Sequence, residues 1–293
     1  MKKILLLLLC CLPAGMTSVY AQKLSAGELE RFQKAEDSLV ASADSMYRAY
    51  MYEDRIEYCH KFVKQLSNLL KQDNAYTYPF EKLAKKVHII SPDDKSFRMF
   101  NWTVEYKLAG FRYYGAVQKA DGQLIPLLDM SEKIEGNALY GFLSNKNWFG
   151  SEYYRIMTQK SADGRPLYFV FGANNNGNGY STKTVDLLNI EGNKITFGGD
   201  YFRVNNMPAK RFVLEYQKGA QVSLNWDNER GMIVYDRVIS EVNQPQRRNT
   251  LVPSGMVDGM KWANFQWQPV QDVVPIMKLK DGQAPVNGVI PGQ

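Results

Sequence analysis

From about residue 87 onward the chain alternates short runs rich in aromatic and β-branched side chains with glycine, asparagine and aspartate turns. Runs of this kind are typical of β-strands, and these turns supply the positive φ angles that tight hairpins need. The predicted turns are 120–122, 162–164, 191–193, 218–219 and 227–231. The predicted strands are 87–90, 96–104, 110–118, 151–159, 166–172, 182–190, 194–198, 210–217, 220–226 and 231–239. The pattern predicts a large antiparallel β-sandwich or barrel over residues 87–273.

The preceding section, residues 22–86, has a helical pattern instead. Ser25 and Glu28 have the spacing of a capping box. Two apolar stripes follow, at residues 29–50 and 56–70, and the first is interrupted only by Glu36. Without a Gly or Pro between them, the stripes fit either one long helix or two antiparallel helices, and Pro79 predicts a short third helix.

The predicted fold class is therefore α+β, with N-terminal helices followed by the antiparallel β domain. A β-propeller is the alternative architecture, because the segment from Ser91-Pro-Asp-Asp94 to Trp102 is similar to part of a propeller blade. A propeller needs a repeated period, and the β region contains none that we detect. This favours the sandwich or barrel.

Both ends of the chain predict segments outside the folded domain. Lys2 and Lys3, an apolar run and a small-residue exit at Ala21–Gln22 are the pattern of a signal peptide, residues 1–21. The run is about half of the roughly 20 residues that cross a bilayer, so no transmembrane segment is predicted. We therefore expect an exported protein, periplasmic or extracellular, and the proline-containing residues 274–293 predict a flexible tail.

Charge and cysteine content exclude several classes of protein. Cleavage would remove Lys2 and Lys3 with no acid, which lowers the formal charge from +6 to +4. Basic residues occur in short pairs, whereas a nucleic-acid surface needs a cluster, so no nucleic-acid partner is predicted. Cleavage would also leave Cys59 without a second cysteine, so a buried core must supply the stability. Cys59 lies on the second apolar stripe, where we expect a buried thiol.

The segment FGANNNGNGY, residues 171–180, is the one candidate metal site. Asn174, Asn176 and Asn178 fall on the first, third and fifth positions of a calcium loop. The twelfth position is Val185 where a glutamate is expected, and Asp186 lies one residue late. A glycine-rich turn is therefore the favoured interpretation, with Ca²⁺ binding through these four residues as the alternative and no other cofactor predicted.

Catalytic chemistry has few candidates. Two histidines and one cysteine in the mature chain make a zinc site improbable, and His88 is expected to stand alone on one face of a strand. A glycosidase needs only two carboxylates. The candidates in the β region are Glu152, Asp163, Asp186, Asp200, Glu215, Asp227, Asp236 and Asp258.

Aromatic side chains are the remaining candidates for binding. Doublets on a strand place one ring on each face of the sheet, so one ring can fill the core while the other contacts a ligand. The candidate ligand-binding residues are Tyr113, Tyr114, Tyr153, Tyr154, Trp226 and Trp262.

Several longer segments resemble a known group of proteins. They are DRIEYCHKFVKQL (54–66), YPFEKL (78–83), ISPDDKSFRMFNW (90–102), FRYYGAVQ (111–118), FGANNNGNGYSTKTVDLL (171–188), RFVLEYQKGAQVSLNWDNERGMIVYD (211–236) and VPSGMVDGMKW (252–262). In order and spacing they resemble an uncharacterised family of exported proteins from Bacteroidetes-type bacteria. The resemblance covers most of the mature chain. It implies export and the order of helical and β sections, and it implies no reaction and no catalytic residue.

These observations together predict a non-catalytic exported module of the envelope or the exterior that binds a carbohydrate, a peptide or an envelope protein. One alternative is a glycan hydrolase that uses paired carboxylates. Another is an assembly adaptor that acts through an uncovered apolar stripe on residues 29–50.

Overall fold

Two helices begin the part of the chain that the computed structural model describes, which is residues 24–134, 139–205 and 207–273. They are α1 (Ala26–Arg48) and α2 (Tyr52–Leu70). The two apolar stripes therefore form two helices and not one long helix. The predicted capping box is present at the start of α1, where Ser25 Oγ accepts from Glu28 N. The predicted signal peptide (1–21) and tail (274–293) lie outside the described residues.

The break between the helices has no Gly or Pro, and a side chain from α2 stabilises it. Arg55 Nε donates to the carbonyl of Ala49 at 2.8 Å, and its Nη1 forms an ion pair with Glu105 at 2.9 Å. One arginine therefore caps the end of α1 and links the corner to the β region.

Glu36, which interrupts the predicted stripe, is buried because it organises the segment that leads from α2 to the first strand. Its carboxylate accepts from Tyr78 Oη, Lys82 N and Leu83 N at 2.6–2.9 Å. The third helix predicted from Pro79 is only a 3₁₀ turn at Leu83–Lys85, and another 3₁₀ turn, Ala75–Thr77, precedes the proline. A buried carboxylate that accepts three hydrogen bonds is satisfied, so Glu36 interrupts the apolar stripe because it has a structural role.

The remainder of the described chain is β-structure. The strands in chain order are β1 His88–Ile90, β2 Phe97–Lys107, β3 Gly110–Lys119, β4 Leu124–Leu128, β5 Leu143–Ser144, β6 Glu152–Lys160, β7 Pro166–Asn174, β8 Tyr180–Glu191, β9 Lys194–Phe197, β10 Phe202–Val204, β11 Met207–Ala209, β12 Arg211–Gln217, β13 Leu224–Asp227, β14 Met232–Ser240, β15 Leu251–Ala263 and β16 Gln266–Val270. The predicted glycine turns are present, with positive φ at Gly122, Gly164, Gly192, Gly219 and Gly231.

These strands form three sheets. The first has the order β1-β2-β3-β4, the second β5-β9-β8-β7-β6 with β12 also paired to β8, and the third β11-β10-β16-β15-β14-β13. All pairs are antiparallel except β10 with β16. In the described residues each sheet is open at its edges, so the fold is a sandwich and not a closed barrel.

The helices and sheets pack as four layers. Phe62 of α2 meets Trp102 of the first sheet edge to face, with ring centroids 5.0 Å apart. The opposite face of the first sheet packs against Val170 of the second sheet. The neighbouring Phe169 points the other way and meets Trp267 of the third sheet at 5.5 Å. Strand alternation thus buries both faces of the second sheet, and each buried ring contributes roughly 1.5–3 kcal/mol. Face-to-face sheets form a sandwich rather than the radial blades of a propeller.

Candidate functional site

The asparagine-rich turn between β7 and β8 closes the edge of another strand. Strand β4 pairs with β3 only from Tyr114 to Gln118, which leaves the start of β3 without a partner on that side. Asn176 takes that place, because its Oδ1 accepts from Phe111 N at 2.8 Å and its Nδ2 donates to Phe111 O at 2.6 Å. A side-chain amide thus makes the pair of hydrogen bonds that a neighbouring strand would make.

The other asparagines of the turn are also placed by protein contacts. Asn174 is buried, with Nδ2 donating to Gly150 O and Oδ1 accepting from Asn176 N at 2.8 Å. Asn178 is exposed. Gly177 is required by space, since a Cβ there would lie 2.5 Å from the Tyr180 carbonyl. Two of the three asparagines predicted as calcium ligands therefore have their amide oxygens occupied by backbone N–H groups.

Asp186, the fourth predicted calcium ligand, lies farther along β8 in a buried ion pair. Its Oδ2 accepts from Arg211 Nε at 2.7 Å, and the same guanidinium donates to the carbonyls of Leu139 and Gly141. Burial raises the pKa of Asp186 to about 6, and Arg211 opposes that shift. Within the described residues no three His, Cys, Asp or Glu side chains cluster as metal ligands. Calcium binding stays a prediction, and the geometry of the turn does not support it.

The six predicted ligand-binding aromatics do not form one surface. Tyr113 and Tyr153 are buried between the first and second sheets. Tyr154, Trp226 and Trp262 pack at the edge of the core between the second and third sheets. Tyr114 stacks on Trp102 with centroids 5.5 Å apart and also lines a cleft. Strand alternation correctly placed the two rings of each doublet on opposite faces of a sheet. Both faces are largely covered, however, because further layers of the protein pack on them.

The structure does bring the asparagine turn and the Tyr113–Tyr114 doublet together. Asn175 N donates to Tyr113 Oη at 2.7 Å. Beside this contact lies a half-open cleft of about 400 Å³, which we call the Arg112 cleft. It is lined by Tyr106, Phe111, Arg112, Tyr113, Tyr114, Leu127, Leu128, Asp129, Met130, Glu132 and Lys133. Its volume lies in the range of about 300–1,000 Å³ that is usual for ligand sites.

The carboxylates of the Arg112 cleft are engaged by donors. Asp129 accepts from Tyr113 N and Ser131 N at 2.8 and 2.9 Å, and Gly150 leaves room for it, since a Cβ there would lie 2.3 Å from Asp129 Oδ1. Glu132 accepts from Tyr106 Oη and from Lys107 Nζ. These hydrogen bonds, that of Tyr106 first, lower the pKa of Glu132. Glu132 is therefore an ionised acceptor near neutral pH.

The cations of the cleft are more available to a ligand. Arg112 and Lys133 are both exposed at the rim. The Arg112 guanidinium lies over the Tyr106 ring, 4.9 Å from its centroid, which orients the group through a cation–π contact. Within the described residues neither cation forms an ion pair. An oriented guanidinium in a cleft that also has apolar lining residues is suited to a carboxylate attached to an apolar group.

Sequence reasoning missed Tyr106, Arg112, Glu132 and Lys133. One signal was available: strand alternation places Arg112 and Tyr114 on the same face of β3, so a candidate ring at Tyr114 implied a cation beside it. Glu132 and Lys133 lie in a 3₁₀ turn, Ser131–Lys133, that has no recognisable pattern.

A second hollow of about 380 Å³ adjoins the cleft and shares Glu132 with it. Asn174, Asn176 and Asn178 line it together with Tyr180 and Arg248. Arg248 forms an ion pair with Glu215 at 3.0 Å and donates to Tyr180 Oη at 3.0 Å. Burial raises the pKa of Glu215, and Arg248 opposes the shift. The guanidinium of Arg248 is thus already bound to side chains of the protein.

The eight carboxylates that the sequence nominated for catalysis do not line the Arg112 cleft or this hollow. Seven form ion pairs, namely Glu152 with His88, Asp163 with Arg165, Asp186 with Arg211, Asp200 with Lys210, Glu215 with Arg248, Asp227 with Arg230 and Asp258 with Arg237. Asp236 accepts from Ser223 N at 2.6 Å. Their roles in the described structure are local contacts.

The expectation that His88 stands alone is wrong. Its Nε2 lies 2.7 Å from Glu152 Oε1, and Glu152 also accepts from Thr103 Oγ1 at 3.1 Å. The pair joins β1 of the first sheet to β6 of the second. The hydrogen bond to Glu152 raises the pKa of His88. Cys59 is buried as expected, and burial raises the pKa of its thiol to about 11.

No family model, curated protein or solved structure matches this chain. Among the described helices, none has the length and apolar character that a membrane crossing requires.

Proposed function

We propose that this chain is an exported, non-catalytic binding module, and that the Arg112 cleft binds a peptide or a protein segment carrying a carboxylate beside an apolar side chain. One observation carries the proposal: exposed Arg112 and Lys133 line a cleft whose lining also includes the apolar side chains of Phe111, Leu127 and Met130. Export rests on the sequence of residues 1–21.

Two features support a carboxylate ligand. Arginine binds carboxylates through paired hydrogen bonds, and the contact of Arg112 with Tyr106 limits the conformations that the guanidinium loses on binding. Glu132 forms its ion pair with Lys107 at 3.1 Å and not with Arg112 or Lys133, although the charge of Arg112 also contributes to the lowered pKa of Glu132. The Tyr114 ring stacks on Trp102, which fixes the position of one aromatic side chain of the cleft lining.

Hydrolysis is the second candidate, since Asp129 and Glu132 line the same cleft. A glycosidase needs one carboxyl group that is protonated near neutral pH. The pKa of Glu132 is lowered, so this residue does not fit the protonated role, and Asp129 is engaged by the backbone N–H groups of Tyr113 and Ser131. The adaptor alternative requires an uncovered stripe on residues 29–50, whereas Phe32, Leu39, Ala43 and Met46 of that stripe are buried and only its end residues Leu29 and Tyr50 are exposed.

A peptide array tests the proposal. The mature chain, residues 22–293, is labelled and applied to random peptides, together with the Arg112→Ala/Lys133→Ala variant. A Lys61→Ala/Arg247→Ala variant loses the same charge at exposed positions away from the cleft and is the control. We expect binding to peptides with Asp or Glu beside an apolar residue, weakened at least about tenfold in the cleft variant, or roughly 1.4 kcal/mol, and unchanged in the control.

Two results would contradict the proposal. One is the absence of any peptide preference for acids. The other is equal loss of binding in the cleft variant and the control, which would indicate attraction by net charge alone. Release of sugar or peptide fragments by the purified chain would support hydrolysis instead.

A further inference from the structure

A hollow that the proposed function does not use lies at the opposite end of β8 from the asparagine turn. Its volume is about 550 Å³, and we call it the Phe142 groove. Its walls and floor come from Phe142, Leu167, Asn189, Glu191, Thr196 and Tyr201, with Arg165 at one end. This combination of rings, amide and hydroxyl is independent of the Arg112 cleft.

Phe142 is an exposed ring held in a fixed place. The side chain is 61% exposed, which costs hydrophobic free energy that burial would have gained. Buried Arg211 holds the backbone beside it by donating to the carbonyls of Leu139 and Gly141. Lys210 Nζ lies 4.4 Å from the ring centroid and covers one face. A ring so placed loses little freedom when it binds a ligand.

Two consecutive glycines, Gly198 and Gly199, leave room for the aromatic rings of the groove. A Cβ on Gly198 would lie 3.3 Å from the Phe142 ring, and Gly198 has a φ of +106° that favours glycine. A Cβ on Gly199 would lie 2.8 Å from the Tyr201 ring. The Tyr201 ring is backed by Trp262, with centroids 6.1 Å apart. Both rings can therefore approach the strand closely because the backbone beside them has no side chains.

The floor is a flat and polar strip of the second sheet. Asn189 on β8 is paired with Thr196 on β9, and both side chains are exposed. Leu187, Asn189 and Glu191 share one face by alternation. Asn189 Nδ2 donates to Glu191 Oε1 at 2.9 Å, and Arg165 forms an ion pair with Asp163 at 2.6 Å. The two charged lining residues thus have partners and opposite signs.

We propose that the Phe142 groove binds a neutral oligosaccharide. Pyranose rings have flat apolar faces, which suit the Phe142 and Tyr201 rings, and equatorial hydroxyls, which suit Asn189, Thr196 and Glu191 as hydrogen-bond partners. The lining has no unpaired cation, so an acidic glycan gains nothing over a neutral one. Glu191 is the single carboxylate of the lining, whereas sugar hydrolysis uses two, so the groove binds without cleaving.

The test uses the mature chain on an array of short neutral pyranose oligomers and the corresponding uronic acid oligomers, followed by calorimetry with the best oligomer. Phe142→Ala and Asn189→Ala change exposed side chains, so both variants are expected to keep the far-ultraviolet circular dichroism of the parent. Tyr50→Ala removes a ring that is 91% exposed on the helical layer and is the matched control. The Arg112→Ala/Lys133→Ala variant separates this groove from the cleft.

We expect neutral oligomers to bind the parent chain. Their affinity for Phe142→Ala and for Asn189→Ala should be at least about tenfold lower. Their affinity for Tyr50→Ala and for the cleft variant should equal that of the parent. The proposal is overturned if no neutral oligomer binds, if uronic acid oligomers bind more tightly, or if both groove variants retain full affinity. Loss of peptide binding in Phe142→Ala, with no glycan binding by the parent, would also overturn it. Absence of glycan binding together with parent-level peptide binding by Phe142→Ala would overturn the groove and leave the peptide proposal intact.

Discussion

Buried polar side chains join the layers of this molecule. Glu36 ties α1 to the segment before β1, and Arg211 ties β12 to residues 139–141. Arg98 is buried without a carboxylate among its contacts and donates to Gln118 and to the carbonyls of Ala75 and Tyr78, and burial lowers its pKa to about 10. Each of these residues breaks an apolar pattern in the sequence because it satisfies backbone groups between elements.

Glu36→Gln tests this role. The amide NH₂ replaces an acceptor oxygen where Tyr78 Oη and two backbone N–H groups donate, so one donor is left without an acceptor. We expect the free energy of unfolding to fall by roughly 1.5–3 kcal/mol, measured by urea denaturation with an unchanged m-value. The exposed Glu30→Gln, which affects only a surface pair with Lys34, is the control. Equal stability of both variants would contradict the assignment.

The His88–Glu152 pair predicts a pH dependence of stability. The pKa of His88 is raised above 6.5, so protonation stabilises the folded state. Its contribution is complete below about pH 6.5 and is lost as the pH rises through the raised pKa. The pKa of Glu152 is lowered from 4.5, so its contribution is present above that pH and is lost as the pH falls through the lowered value. The pair therefore stabilises most between these two ranges.

His88→Gln checks this sign. The difference in unfolding free energy between parent and variant should shrink as the pH rises above 6.5, while His60→Gln retains the parent dependence. The side chains of His88 and Glu152 are 42% and 43% exposed, so the effect is expected to stay below about 1 kcal/mol. A difference that grows with rising pH would contradict the role of the pair.

At the scale of elements, the asparagine turn acts as a short substitute for a strand. Asn176→Ala removes both bonds to Phe111 and leaves a backbone N–H and a carbonyl at a strand edge without partners. We expect a loss of roughly 1–3 kcal/mol and faster amide hydrogen exchange at Phe111. Asn178→Ala, at an exposed position of the same turn, should change neither quantity. Unchanged protection of Phe111 in Asn176→Ala would show that another group closes the edge.

The sequence predicted the elements whose pattern is local and missed those defined by partners. Strands β6 to β9 alternate clearly between glycine turns and were predicted within a few residues. Strand β15, Leu251–Ala263, was missed because Pro253, Gly255 and Gly259 interrupt its pattern. Gly259 is needed there because a Cβ would lie 2.9 Å from Met232 Sδ on the paired strand. Strand β4 contains Pro126, and such strands exist through pairing rather than propensity.

The candidate site was predictable only in part, for a similar reason. Alternation indicated that the Tyr113–Tyr114 doublet divides between two faces, and it does. It gave no information on which faces a second layer covers, so buried Tyr153 was predicted as a ligand-binding residue together with partly buried Tyr114. Phe142, an isolated ring before a strand of two residues, carries no periodic signal at all.

At the scale of the whole molecule, a helical layer and three sheets share one stack, with the second sheet as the centre. The asparagine turn beside the Arg112 cleft precedes β8, and the Phe142 groove contains its last residues. The two sites are therefore separated by most of a strand, on the order of 30 Å. Under the two proposals, a peptide would bind at one end and a sugar at the other without contact between them.

Charge reversal tests the central claim, that Arg112 and Lys133 select a carboxylate ligand, most directly. The Arg112→Glu/Lys133→Glu variant is measured by calorimetry against the best acidic peptide and against the same peptide with its acid replaced by lysine. We predict that the variant no longer binds the acidic peptide. It should bind the lysine peptide at least about tenfold more tightly than the parent does. Unchanged preference for the acidic peptide in the reversed variant would contradict the account.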